Sequence, residues 1–325
     1  NPFASYMDLY NGIDGFFDNN PGLGGTAYFW IDDASAGNGY SSSDYAYWNI
    51  SGATEANRVT PGGNVAPGQG FFVDVSTLPA NIDFSTSHCI NAMEDFHRKP
   101  GTQSNIGRIW LNLVDENEIK SEMLLAFTEQ ASMAEDRLYD AKKIIVGGNI
   151  GIYSFIENEP FAIQGMPALT KSEVMPIGVI TNKASTYKVK IKDHENLPIV
   201  NEILLEDRFL DVIWDIKNND YIVDLAQDTF NNRFFLHIAL PFSEIEEDKG
   251  DVDFKTYVNN KTLTLQGLNS LGKINSIEVY DISGRTVYKQ HFGRALSDKR
   301  IHIPTNGVYV VRLNTEAGLI AKKFF

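Results

Sequence analysis

The apolar residues of this chain recur with a period of two, in short runs cut off by Gly, Asn and Asp clusters. Arg108-Ile109-Trp110-Leu111-Asn112-Leu113-Val114 is one such run. Met123-Leu124-Leu125-Ala126-Phe127 follows it after the polar Asp115-Glu116-Asn117-Glu118, which is the pattern of a hairpin. A run of this kind has one apolar face, and hides it only by pairing into a sheet whose face is covered. Further strands are expected at 28–31, 43–49, 81–84, 152–155, 174–180, 187–191, 201–205 and 233–238, and a turn feeding a strand at 68–75. The one helix candidate, 129–143, lacks a clean apolar stripe, so no long helix is expected there. The pattern predicts an all-β chain of tandem β-sandwich domains ending in a small Ig-like β-sandwich module.

Length and charge divide the chain. A length of 325 residues exceeds one ordinary domain. Arg98-Lys99-Pro100-Gly101-Thr102 punctuates the sequence and places a first boundary near 104. Residues 242–251 carry Glu244, Glu246, Glu247, Asp248 and Asp251 against Lys249, and read as an acidic linker. The expected domains are therefore 1–104 (β-rich), 105–241 (β-sandwich) and 252–325. The last of these holds 11 Lys and Arg against 5 Asp and Glu, or +6. Residues 1–251 hold 17 against 37, or −20, which together give the net −14. A body this acidic repels phosphates, so no nucleic-acid partner is expected.

The start at Asn1-Pro2-Phe3 reads as the middle of a domain, so the first domain is expected to be N-terminally truncated. Neither a signal peptide nor an apolar run long enough to span a membrane is present. The single cysteine, Cys89, allows no intrachain disulfide and is expected to be a small buried residue.

Catalytic patterns are lacking. His88, His97, His194, His237, His291 and His302 form neither HxH nor HExxH, and His237 alternates with strand residues as a packed histidine would. GxSxG, P-loop and dinucleotide fingerprints are missing. The glycine-rich stretch 22–25 precedes an aromatic strand rather than a helix, and is expected to be a loop. No cofactor is expected. Asp32-Asp33, or Asp136 with Asp140, offer calcium its oxygen ligands, against the simpler reading of solvated or turn-stabilising carboxylates. The chain is not expected to be an enzyme. Tyr28, Trp30, Tyr45, Tyr47 and Trp48 are either core aromatics or a sugar-stacking surface. Alternation puts 28 with 30 and 45 with 47, while Trp48 points the other way.

Three stretches near the end carry a resemblance. Ile277-Glu278-Val279-Tyr280-Asp281-Ile282-Ser283-Gly284-Arg285 is a strand entering a tight turn, Pro304-Thr305-Asn306-Gly307-Val308-Tyr309-Val310-Val311-Arg312-Leu313 is a turn feeding a β-branched strand, and Lys322-Lys323-Phe324-Phe325 closes the chain. In this order they resemble the type A C-terminal sorting domain of the type IX secretion system of Bacteroidota. That family's early Tyr-Pro-Asn-Pro element is replaced by Tyr257-Val258-Asn259-Asn260. The resemblance implies a module recognised, after export to the periplasm, by the type IX outer-membrane translocon and its shuttle protein, then removed by a surface peptidase. It implies an extracellular or cell-surface destination. The sorting-motif residues it marks are Gly284, Arg285, Pro304, Gly307, Tyr309, Lys322 and Lys323. The glycines and Tyr309 are expected to maintain the fold and the lysines to make contact.

The upstream part resembles a recurring pair of β-domains in large Bacteroidota surface proteins. The matching stretches are 1–6, 66–73, Asp136-Arg137-Leu138-Tyr139-Asp140-Ala141 and 232–237, although the Gly-Trp-Asn strand that precedes the first of these in that family is missing here. This implies no activity. The expectation is a non-catalytic secreted or surface protein with a sorting tail. The alternative is a carbohydrate- or surface-binding adhesin module in residues 1–241.

Overall fold

The computed structural model describes residues 1–31, 42–78, 81–91, 106–146, 150–170, 173–197, 200, 202–210, 212–239, 254–259, 261–281, 285–304, 309–316 and 318–324. The expected boundary near 104, the linker 242–251, Asp32, Asp33 and His97 lie outside these residues. The chain divides into two compact units, 1–241 and 242–325. It is all-β, as the alternation predicts.

The body begins with β1 (Tyr6–Asp8), the one-turn helix α1 (Phe16–Asn19), β2 (Ala27–Trp30), β3 (Tyr45–Asn49), β4 (Gly52–Thr54), β5 (Asn64–Val65) and β6 (Cys89–Ile90). They form two three-stranded sheets, β5-β1-β6 and β2-β3-β4. A core including Met7, Leu9, Phe16, Phe17, Leu23, Phe29 and Trp48 joins them. Cys89 is half-buried opposite Met7.

The rest of the body comprises β7 (Gly107–Val114), β8 (Lys120–Phe127), β9 (Ala141–Lys142), β10 (Gly151–Ile156), β11 (Glu159–Met166), β12 (Glu173–Ile180), β13 (Ser185–Glu195), β14 (Glu202–Asp207), β15 (Val212–Asp215), β16 (Tyr221–Leu225) and β17 (Thr229–Ala239). Ten of these pair in the order β15-β14-β17-β12-β10-β11-β8-β7-β13-β16, and β9 adds to β11. The predicted hairpin 107–127 is present, with Leu111 opposite Met123. The β8–β11 pair is parallel, with Ile163 opposite Leu124. The β10–β11 hairpin closes with the two-residue turn Glu157-Asn158, both at positive φ (51° and 71°), the conformation that matches strand twist.

This sheet coils until its two ends face one core. Ile203 and Leu205 near one end share that core with Tyr221, Val223 and Leu225 at the other. Asp207 stands where the ends meet. It is fully buried and takes a bidentate pair from Arg233 (Nε–Oδ1 2.9 Å, Nη2–Oδ2 2.7 Å), the Tyr221 hydroxyl at 2.9 Å, and the backbone N–H groups of Phe209 and Leu210. Burial drives this carboxyl's pKa up. The Arg233 and Tyr221 hydrogen bonds more than offset that, so the group lies below the ordinary Asp value.

Two sequence expectations fail for a visible reason. Residues 81–84 alternate but form no strand, because the Asn20 side chain takes both backbone groups of Asp83, accepting from its N–H at 2.7 Å and donating to its carbonyl at 3.0 Å. At 81–84, local side-chain capture of backbone groups has displaced ladder pairing. Residues 68–75 feed only isolated bridges, Phe72 with Tyr28 and Val75 with Leu23.

The second unit contains β18 (Lys255–Asn259), β19 (Thr262–Gln266), β20 (Lys273–Asp281), β21 (Thr286–Ala295), β22 (Asp298–His302), β23 (Tyr309–Thr315) and β24 (Gly318–Phe324). Two sheets, β18-β19-β22 and β21-β20-β23-β24, enclose a core with Leu263, Leu265, Ile277, Val279, Tyr309, Val311 and Leu313. This is the expected small sandwich.

Candidate functional site

The three stretches singled out at the C-terminal end lie on adjacent strands. β20 carries the first, β23 the second and β24 the last, with Val279 opposite Val311 and Val311 opposite Lys322. Residues far apart in sequence thus share one sheet, because β21 folds back on the other side of β20.

Arg285 closes the β20–β21 turn. Its N–H and Nε each donate to Asp281, at 3.0 Å, and its carbonyl accepts the Asp281 N–H. Tyr309 is buried at the base of β23, opposite Asp281 and Phe324. Pro304 is exposed just after β22. Lys322 is exposed at the edge of the sheet, donates to the Phe254 carbonyl at 2.9 Å and stacks its ammonium 5.1 Å from the Phe254 ring centre. It thereby ties the last strand to the residue that precedes the first. Lys323 pairs with Val310, next in register. Gly284 and Gly307 lie outside the described residues.

Sequence reasoning missed the outer face of this sheet. Ser276, Glu278, Tyr280, Lys289, Arg312 and Asn314 line a shallow polar cleft of about 270 Å³. Tyr280 and Lys289 (2.9 Å) hold Glu278, and their hydrogen bonds lower its pKa. The signal was present in the sequence: these positions alternate with the apolar ones on β20 and β23.

In the body, the stretch 136–141 has a clear task. No helix forms over 129–143, because backbone N–H groups are taken by carboxylates: Asp136 accepts from Ser132 at 2.5 Å and Asp140 from Asp136 at 2.5 Å and Gly165 at 2.7 Å. Arg137 reaches the carbonyls of Leu23 (2.6 Å), Phe17 (2.8 Å) and Asn20 (3.0 Å). Gly25 donates to the Arg137 carbonyl at 2.9 Å. A Cβ at Gly25 would stand 2.6 Å from that oxygen, so the glycine-rich loop serves this close approach. The stretch is a seam between the small sheets and the large one. Arg108 (to Ser51) and the Trp110 indole (to Ala53, 2.8 Å) extend it.

Buried charge lies along the same seam. Lys192 bridges Glu55 (2.7 Å) and Glu122 (2.9 Å). Lys143 is buried against Ser121 Oγ (3.0 Å), the Glu122 carbonyl (3.3 Å) and the Tyr47 ring, and desolvation pulls its pKa down to about 8. Desolvation pushes the Asp140 carboxyl up to about 7 against its backbone hydrogen bonds. His237 is half-buried, with Nε2 2.8 Å from Glu206 Oε2, and so is held by a hydrogen-bond partner as well as by packing. Among the described residues no group of three or more His, Cys, Asp or Glu is placed to hold a metal ion, and no helix is long and apolar enough to cross a membrane.

The fold thus gives an all-β body followed by a small two-sheet module whose motif strands lie side by side. Residues 258–325 match the secretion system C-terminal sorting domain, the tail of type IX export. The module therefore engages the type IX machinery, and the protein is destined for the cell surface or the extracellular space. Residues 1–238 match the family described as a domain of unknown function (DUF8693), and the chain belongs to that family. No curated protein matches the chain.

Proposed function

We propose that residues 1–241 form a non-catalytic cargo body that works at the cell surface, and that the terminal module brings it there. In this reading a shuttle protein receives the folded module at the outer-membrane translocon, and a surface peptidase then removes it. The observation that carries the reading is the assembly of the β20, β23 and β24 motif strands into one sheet. Of the terminal lysines, Lys322 works by holding the fold together through Phe254. The non-catalytic reading is supported by how the perturbed groups of the body are used. Asp140 is engaged by backbone N–H groups, Lys143 by Ser121 and Glu122, and Glu122 by Lys192.

The test fuses residues 242–325 to a periplasmically exported reporter in a type IX-competent host. The expected result is a reporter on the cell surface, lost when residues 322–325 are deleted. A reporter that stays in the periplasm with the module intact overturns the reading.

A further inference from the structure

The outer face of the module's four-stranded sheet carries a row of charge across three strands. Glu278 on β20 stands opposite Lys289 on β21 and opposite Arg312 on β23, and in the next row Ser276 stands opposite Asn314. Alternation turns these side chains away from the core, which takes Ile277, Val279, Val311 and Leu313 from the same strands. With Tyr280 they line the polar cleft.

The two cations of the row are used differently. Lys289 pairs with Glu278 Oε1 at 2.9 Å, and the Tyr280 hydroxyl donates to Oε2. Both carboxylate oxygens are thereby taken. Arg312 is exposed, and its hydrogen bond goes to the Tyr280 hydroxyl. Among the described residues no ion pair engages Arg312, and no hydrogen bond engages the side chains of Asn314 and Ser276, although Ser276 is buried. A guanidinium presents a fork of N–H donors that fits a carboxylate. The cleft therefore combines a satisfied floor with donors still to be matched: the Arg312 fork, the Asn314 amide and the Ser276 hydroxyl.

Charge sets what these donors fit. Lys289 and Arg312 bring two positive charges and Glu278 one negative, which leaves +1. That balances one carboxylate and falls short of a phosphate dianion. The module as a whole carries +6, which steers it toward an acidic surface.

We propose that this cleft docks an acidic peptide segment of the type IX machinery. Arg312 takes one Asp or Glu carboxylate, Asn314 and Ser276 donate to it, and the Lys289–Glu278–Tyr280 group forms the floor. The docking role rests on the module acting as the address.

The full chain, brought to the periplasm of a type IX-competent host by an added export leader, is compared with its Arg312→Gln, Asn314→Ala and Arg300→Gln variants. Arg300 is exposed on β22, in the other sheet, so its loss changes the module's charge equally. Arg312→Gln should lower the surface-delivered fraction by about tenfold or more, as for truncation of one partner of a charged contact, and leave the chain in the periplasm. Asn314→Ala should lower it by less, and Arg300→Gln should leave it unchanged. Limited proteolysis of the Arg312→Gln module should match the wild type, because the replaced side chain is exposed and holds no ion pair. The purified full chain is also titrated with a fluorescent peptide of alternating Glu and Ser, and with its Gln counterpart. The Glu peptide alone should bind, and Arg312→Gln should remove that binding. A wild-type chain that stays in the periplasm overturns the address reading and the docking face with it. Normal delivery of Arg312→Gln overturns the docking face alone. So does an equal loss with Arg300→Gln, which would assign the effect to net charge rather than to the cleft. A wild-type chain that binds the two peptides alike overturns it whatever the variants do, as does Arg312-dependent flotation with phosphatidylglycerol vesicles without binding of the Glu peptide.

Discussion

The body and the terminal module use charge in opposite ways. In the body, charged groups sit inside: Asp207 with Arg233, Glu122 with Lys192, and Lys143 against Tyr47. In the module they lie on the outer sheet face or at turns, as with Lys289–Glu278 and Arg285–Asp281, over an apolar core. Buried pairs add little net stability but penalise every arrangement that separates them. The body needs that selectivity, since two small sheets and a coiled large one must meet in one way. The module has only two sheets to join, and its charges remain available to a partner.

The sharpest way to break the contrast is Asp207→Asn. It strands Arg233, and should cost the body about 3–5 kcal/mol, read by urea denaturation. All four tryptophans, Trp30, Trp48, Trp110 and Trp214, lie in the body, so their fluorescence reports that unit alone. A module transition that moved equally would remove the distinction.

Next in size is the response to pH. Between about pH 8 and 10.5 the unfolded chain holds the Lys143 proton and the folded chain does not, so body stability should rise with pH across that window. The gain is on the order of 3 kcal/mol, and Lys143→Met should abolish it. Between about pH 4 and 7 the folded chain keeps the Asp140 proton that the unfolded chain has lost, so stability should fall as pH rises. Asp140→Asn should flatten that limb. Thermal melts followed by tryptophan fluorescence across pH check both.

Smaller effects should fall on the module. Lys322→Met loses a charged hydrogen bond and a ring contact, about 1–2 kcal/mol, read by limited proteolysis of the module while the body transition stays fixed. Lys289→Ala breaks an exposed pair and should leave the module's stability essentially unchanged. A larger loss there would mean that the outer face is also structural.

Strands such as 107–114 and 120–127 were legible because their alternation and turn residues agree. So were the C-terminal motif strands, whose order along the chain becomes adjacency in the sheet. Three kinds of feature were not legible. At 81–84 the period was right, but the partner was the single side chain of Asn20. The Asp207–Arg233–Tyr221 group joins residues from three strands, and no local pattern marks a pair that forms only when a sheet closes on itself. Phe72 pairs with Tyr28 through an isolated bridge far along the chain, which alternation within one strand does not register.

The seam at Arg137 bears on how such proteins can be reassembled over time. Its guanidinium holds three carbonyls from the first thirty residues, and its own carbonyl is held in return by Gly25. A recombination event that imported only the small sheets, or only the large one, would leave those groups without their counterparts. The heritable piece is therefore the whole of residues 1–238, the span that the family match covers as one. Gene shuffling can exchange its neighbours but not its halves.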